Sequence, residues 1–429
     1  MQIRWGVNAV SGAEVVWNTA NLTNAHIGVF GDSGMGKTHM LRRIVAAMED
    51  TGHPRIRFHV FDSAGDMTMP GESAVAFHES ADFGFNPLEL NPDPEFGGVR
   101  KRIQSLITAM NSTSVRLGPR QERALAKLLT GLYKREGFIF DDHRTWGADV
   151  RGGKSYPSLL DAIEYGKERI KAMYTGSNQR SVRALEEVSR LAKQIRIKES
   201  VLNRLGHDEA LTKLQRELDI LKEKAVDAYR EAVFGISTGD ELEEALDSDT
   251  QKETLQSVVD RLENLYQIGI YRSTPPPLDP RCRVWRYIIK SLSADEQKLF
   301  VLTRLETIFT RAIQRGKTEQ VVDVCVLDEA HRYSDPKEDY ILNRMTRESR
   351  KYGVSMIFGS QAPSDFADIL IANLASKVIL GLDQTNTSYA IRKLGVAESA
   401  LKSIIPQRRV LVQMKGIGEL NHGANLVVL

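Results

Sequence analysis

The chain has 429 residues, 41% of them hydrophobic, with 58 Lys and Arg against 56 Asp and Glu and a formal charge of +2. That balance excludes a strongly basic nucleic-acid coat and an acidic disordered tail, while a local basic channel stays compatible with it. Two cysteines, Cys282 and Cys325, build neither a disulfide framework nor a four-ligand zinc site, and they fit a reducing compartment.

No run approaches the roughly 18 apolar residues of a membrane span. The opening Met1-Gln-Ile-Arg-Trp5 lacks the basic-then-apolar pattern of a secretory signal. The expectation is a soluble cytoplasmic protein with no membrane insertion. At about 150 residues per domain, the length predicts two to three domains, or one large core carrying an insertion.

In chain order, residues 3–8 and 15–18 flank Ser11-Gly12 and predict a small hairpin. The apolar run 24–30 stops at Gly31; Met40, Leu41, Ile44, Val45 and Met48 then follow helical spacing to about 52–54. Ile56, Phe58, Val60 and Phe61 predict a second strand closing at Asp62. Strand, glycine turn, helix, strand opens a parallel α/β sheet. Residues 156–267 read as charged amphipathic helix, with two runs (185–195 and 211–228) separated by Gly206-His-Asp208, which predicts an antiparallel helical hairpin. Such a hairpin is ordinarily a surface insertion; an oligomerisation or partner-docking arm is the sharper reading. After Pro275-Pro-Pro277, strands are predicted at 284–289, 321–327, 354–359, 377–382 and 409–414, and helices at 299–313 and 343–351. Both ends of the chain thus feed one sheet: 1–155 and 273–429 form the core, and 156–272 the helical insertion.

Gly31, Asp32, Ser33, Gly34, Met35, Gly36, Lys37 and Thr38 fit G-x-x-x-x-G-K-[ST] at every fixed position. Glycines let backbone N–H groups wrap a polyphosphate, and the helix that follows aims its positive end at it. Lys37 is placed to reach the β- and γ-phosphates of ATP, and the Thr38 hydroxyl to ligate Mg²⁺. The strand ending in Asp328-Glu329 puts two carboxylates at the sheet's carboxyl edge. Asp328 suits the Mg²⁺ shell, and Glu329 suits the base that activates water. Gln361, just beyond the 354–359 strand, is a candidate sensor of the γ-phosphate; the bland alternative is a hydrogen bond closing the loop into Pro363. Arg344, Arg347 and Arg350 share helical spacing and either pair with Glu338 and Glu348 on a solvated face or supply a trans-acting arginine finger. No Asn-Lys-x-Asp guanine-reading string occurs.

The phosphate loop, Phe61-Asp62-Ser-Ala-Gly65-Asp66, Leu327-Asp-Glu-Ala-His331, Arg347-Glu-Ser-Arg-Lys-Tyr-Gly353 and Ser360-Gln-Ala-Pro-Ser-Asp365 occur in that order. Together they resemble the HerA/FtsK superfamily of DNA-pumping ATPases, nearer to HerA, over residues 22–100 and 280–429. Phe85-Asn-Pro-Leu88 is similar to the related ATPases of conjugative type IV secretion. The resemblance implies a RecA-like P-loop core with a mainly parallel sheet, a homo-hexameric ring, ATP between subunits and double-stranded DNA through the centre. It implies a finger at Arg347 or Arg350, Gln361 as sensor, Asp62 near the nucleotide, and an effector nuclease as partner in DNA processing or anti-phage defence. The helical insertion, Ser349 where glycine is usual, and only about 20 residues where HerA proteins carry a β-barrel depart from the archaeal end-resection type. Two other functions fit the same motifs: a conjugative or secretion ATPase, and an ATP-dependent assembly scaffold that regulates an effector without translocation.

Overall fold

The computed structural model describes residues 1–51, 55–149, 152–175, 179–202, 209–234, 248–337, 340–420 and 423–429. Residues 52–54, 206–208 and Glu338, to which a helix end, the hairpin breaker and an ion pair were assigned above, lie outside them. Packing divides the chain into two units: Met1–Arg116 with Glu136–Ser158 and Leu265–Leu429, and Leu117–Arg135 with Leu159–Asn264.

The first unit is built on an 11-stranded sheet among the described residues. In chain order its strands are β1 (Gln2–Asn8), β2 (Glu14–Asn18), β3 (Ile27–Gly31), β4 (Arg57–Asp62), β5 (Ser73–Ala76) and β6 (Val284–Ile288). They continue with β7 (Thr318–Leu327), β8 (Tyr352–Ser360), β9 (Ser376–Gly381), β10 (Arg409–Met414) and β11 (Gly423–Val428). In space they run β2-β1-β11-β10-β9-β3-β8-β7-β4-β6-β5. From β9 to β5 every pairing is parallel; from β9 through β10, β11 and β1 to β2 every pairing is antiparallel. The parallel strands read as continuous apolar runs because helices cover both faces: all of β3 is buried, as are the last four residues of β7. The consequence for function is positional. β3, β8, β7 and β4 are consecutive neighbours, so the loops leaving their carboxyl ends stand side by side, about 5 Å apart per strand.

Helix Lys37–Asp50 packs Met40, Leu41, Ile44, Val45 and Met48 onto one face. Helix Ala294–Arg315 starts in a capping box: the Glu296 N–H donates to Ser293 Oγ at 3.4 Å, and the Ser293 N–H donates to Glu296 Oε2 at 2.8 Å. Cys282 and Cys325 are free thiols.

Lys377 is an odd occupant of β9, 2% exposed and flanked by Gly28 on β3 and Gln413 on β10. Its ammonium donates to the Leu374 carbonyl at 2.9 Å. Burial, with Lys415 adding repulsion, lowers its pKa to about 7. The folded chain therefore binds fewer protons here than the unfolded chain between pH 7 and the ordinary lysine value, so stability rises with pH across that window. Lys377→Met is expected to stabilise the fold by on the order of 3 kcal/mol at pH 7, with the gain vanishing towards pH 10. Denaturant melts of both proteins at pH 7 and 10 check this; parallel pH slopes would refute the burial cost.

The second unit is helical: Leu159–Thr175, Gln179–Leu202, Glu209–Phe234 and most of Ser248–Gln267, together with Pro119–Arg135. Pro119–Arg135 was expected in the core. It groups here because Leu125, Leu128, Leu129 and Leu132 are buried, and Gln121 Nε2 donates to Ser257 Oγ at 2.7 Å. Helices Gln179–Leu202 and Glu209–Phe234 pair through buried Leu191 and Leu218, a Lys198–Glu217 ion pair and Lys222–Glu199 at 3.1 Å. The 24-residue first helix is about 36 Å long. Lys198 lies near the end of the first helix and its partner Glu217 in the first half of the second, as an antiparallel pair requires.

Candidate active site

β3 delivers the chain into the glycine-rich loop. Gly34 and Gly36 stand at φ 80° and 88°, a region that favours glycine. The Asp32 N–H donates to the Gly381 carbonyl at 3.0 Å, which fastens the loop to the end of β9. Helix Lys37–Asp50 begins at Gly36 with no side-chain cap and no acidic residue in its first turn. Its leading N–H groups are thus left for an anion from outside the helix. Lys37 is 9% exposed, and its ammonium donates to the carbonyls of Gly31 at 2.9 Å and Asp32 at 3.4 Å. Both contacts are to neutral carbonyls, so a phosphate draws the ammonium away from them. Partial burial and the neighbouring Asp383 carboxylate hold the Asp32 carboxyl above its usual range.

Two strands away, β7 ends in Asp328 and Glu329. Asp328 is 5% exposed and accepts the Glu329 N–H at 3.0 Å. Burial pushes its carboxyl up; Glu329 and Asp66 add repulsion, and the Lys37 ammonium opposes them. Asp328 fits because β8 carries Gly359 beside it: a Cβ there would lie 2.9 Å from Asp328 Oδ1 and 3.0 Å from the Leu41 side chain. Thus the first turns of helix Lys37–Asp50 and the acidic strand end converge over one glycine. Asp328, Glu329 and Asp66 bring carboxylate charge together there, and the Thr38 hydroxyl has no hydrogen-bond partner among the described residues. Among the described residues no three acidic, histidine or cysteine side chains gather closely enough to hold a metal ion. The oxygens of Asp328 and Thr38 therefore fit a hard cation such as Mg²⁺ that takes its remaining ligands from phosphate and water.

Glu329 itself sits at φ 48°, ψ 42°, a left-handed conformation costing on the order of 1 kcal/mol for a residue with a Cβ. Its Oε2 lies 3.5 Å from His331 Nδ1, which lies 3.1 Å from Ser360 Oγ. Ser360 donates to Asp365 Oδ2 at 2.6 Å, and the Ala362 N–H donates to the same oxygen at 2.9 Å. A polar chain therefore runs from Glu329 across to the end of β8.

Other expected residues are placed differently. Gln361 follows Ser360 directly but is exposed, and the group that reaches towards Glu329 is Ser360 through His331. Asp62 is fully buried. It accepts N–H bonds from Gly65 at 2.6 Å and Met67 at 3.1 Å, and pairs with Arg286 at 2.9 Å. Its carboxylate is committed to shaping the loop after β4, and it is that loop's Asp66 whose charge Asp328 feels. Arg347 and Arg350 are exposed, and Arg347 lies 3.4 Å from Glu348. Arg344 leaves their face and lies over the Phe309 ring, 5.6 Å from its centroid. Arg350 sits just before β8, so the nine-residue strand puts it about 26 Å from the carboxyl edge of its own sheet. Sequence reasoning also missed Gln407. With φ 59°, it holds its side chain against Gly36, where a Cβ would come within 3.0 Å. Its position follows from β10 running antiparallel to β9, a register that local sequence does not carry.

No protein-family model and no curated protein matches the chain. Among solved structures, VirB4 of Thermoanaerobacter pseudethanolicus aligns over 100% of this chain and 96% of its own, at TM-score 0.64 and 14% identity. The plasmid coupling protein TrwB bound to an ATP analogue aligns over 100% and 94%, at TM-score 0.55 and 13% identity. TrwB with ADP and Mg²⁺ aligns over 94% and 84%, at 0.51 and 12%. At these identities the likeness is one of fold, and the fold is the RecA-like P-loop NTPase architecture. No helix among the described residues is long and apolar enough to cross a membrane.

Proposed function

We propose that the protein is an ATP-hydrolysing motor that moves double-stranded DNA, and that it serves transfer of the conjugative kind. The observation that carries the ATPase reading is the convergence of the Lys37–Thr38 loop and the Asp328–Glu329 strand end over Gly359. The DNA-transfer reading rests on the full-length likeness to VirB4 and to the coupling protein TrwB. Gly31–Thr38 hold the phosphates through backbone N–H groups and the Lys37 ammonium. Thr38 and Asp328 would hold Mg²⁺, which neutralises charge developing on the phosphate oxygens. Glu329 orients and deprotonates the attacking water. A strand-end carboxylate pair favours water over a small-molecule acceptor, because it supplies a base where the terminal phosphate lies.

Arg347 and Arg350 stand at the opposite edge of the sheet from their own phosphate loop, so either can serve only a neighbouring subunit's nucleotide. That makes a ring, a hexamer by resemblance, the assembly in which the site is complete. A HerA-type motor with an effector nuclease is the second reading. It is favoured by the Arg347–Gly353 string running into β8 and Ser360-Gln361.

His331 is a positioning residue on this account, since it holds the Glu329 carboxylate relative to β8. His331→Ala is expected to lower kcat about 10-fold with KM for ATP unchanged, and His331→Gln, which keeps a polar contact, to recover part of it. A raised KM for ATP together with a lowered melting temperature, and no recovery by glutamine, would mean that the side chain only supports the fold. The function is tested by Mg-ATP-dependent displacement of streptavidin from a biotinylated duplex end. Displacement by the wild type and none by Glu329→Gln is the expected outcome; hydrolysis without displacement would favour an assembly scaffold.

A further inference from the structure

The helical unit contains a cavity of about 710 Å³, well apart in sequence from the phosphate loop. We propose that it binds a nucleotide-sized phosphorylated ring compound as a second ligand. Arg120, Arg123 and Lys127 recur at three- and four-residue spacing, so helix Pro119–Arg135 turns all three to one side of the cavity. Arg169, on helix Leu159–Thr175, lines it as well. No carboxylate is part of the lining, and among the described residues none of the four is in an ion pair. Arg123 makes only a 3.4 Å bond to the Pro119 carbonyl. Their neighbours outside the cavity behave differently: Arg135 pairs with Glu168 at 2.8 Å, and Lys167 pairs with Glu263 at 2.6 Å. All four side chains are exposed at the rim, where they give the concavity a positive field that attracts an anion.

The lining is also apolar. Leu128 and Leu255 are buried beneath it, and Tyr165 lies across Gly131, where a Cβ would come within 2.7 Å of the phenol oxygen. Glycine at 131 thus lets the tyrosine close one side of the floor. Pockets of roughly 300–1,000 Å³ with an apolar floor and a few charged groups take small ligands. A ring against Tyr165 and Leu255, with phosphate on the arginines, uses both halves of the lining; a bare anion uses one.

The test is calorimetric titration of the full-length protein with AMP, which lacks the β-phosphate that the Lys37 loop grips. Saturable binding is expected, weakened at least about 10-fold in Arg123→Ala/Arg169→Ala and unchanged in Lys37→Ala. Adenosine and inorganic phosphate, each carrying half of AMP, should bind Lys37→Ala at least about 10-fold more weakly than AMP does. The proposal fails if AMP does not bind, if its binding is lost in Lys37→Ala and kept in the arginine variant, or if inorganic phosphate binds Lys37→Ala as tightly. It also fails if the two arginines govern binding of duplex DNA while AMP does not compete.

Discussion

Glu329→Gln is expected to stop ATP turnover while leaving ATP bound. The substitution keeps the shape of the side chain and its reach towards His331 Nδ1, 3.5 Å away. What it removes is the negative charge and the proton acceptor. Removing a general base typically costs about 10²–10⁴ in rate. The proposed phosphate contacts belong to the loop and Lys37 on the other side of Gly359, so affinity for Mg-ATP should change little. Glutamine adopts φ 48° no more easily than glutamate, so the strain of the turn is common to both proteins and cancels in the comparison. Phosphate release and equilibrium ATP binding, measured together, check this. A variant within about 10-fold of wild-type turnover would move the base elsewhere, to Asp328 or Asp66.

Lys37→Ala should be as damaging, by a different route. Lys37 is almost buried and its ammonium bonds to loop carbonyls, so its loss removes a cation placed at the loop's mouth. Charge-assisted contacts to phosphate are about twice as strong as neutral ones, and here the cation also stabilises charge that grows during transfer. Expected effects are about 10–100-fold in ATP affinity and about 10³-fold in kcat/KM. The fold should survive, because the apolar face Met40, Leu41, Ile44, Val45 and Met48 is untouched. Nucleotide binding and a thermal melt separate the two possibilities: a collapsed melting temperature would assign Lys37 a structural role instead.

Much of this site is legible in the sequence because its parts are local. The phosphate loop needs consecutive residues, with glycine where φ is positive, and Gly34 and Gly36 are both found there. The Asp328–Glu329 pair is readable because a parallel strand is a continuous apolar run that ends where the polar residues begin. Strand order is not local. That β8 lies between β3 and β7, so that Gly359 admits Asp328, depends on a β3–β8 pairing that joins Ile27 to Ile357, more than three hundred residues apart. Asp62 illustrates the limit: an acid at a strand end looks like a ligand, yet its partner Arg286 lies 224 residues away and draws it into a structural role. Pro119–Arg135 was assigned to the wrong unit for a similar reason, since an amphipathic stripe says that a helix packs but not against what. The short strands β5 and β11 carry too little apolar pattern to stand out, with Ser73–Ala76 burying one residue of four.

The central claim is that ATP hydrolysis in this protein belongs to a ring acting on DNA, with Arg347 or Arg350 completing a neighbour's site. Light-scattering mass and Mg-ATPase rate, measured on the same sample with and without double-stranded DNA, test it directly. The account predicts a multimer of a 48.1 kDa chain whose hydrolysis rises several-fold with DNA, about an order of magnitude, and falls when both arginines are replaced by alanine. A monomer that hydrolyses ATP at the same rate with or without DNA would contradict it.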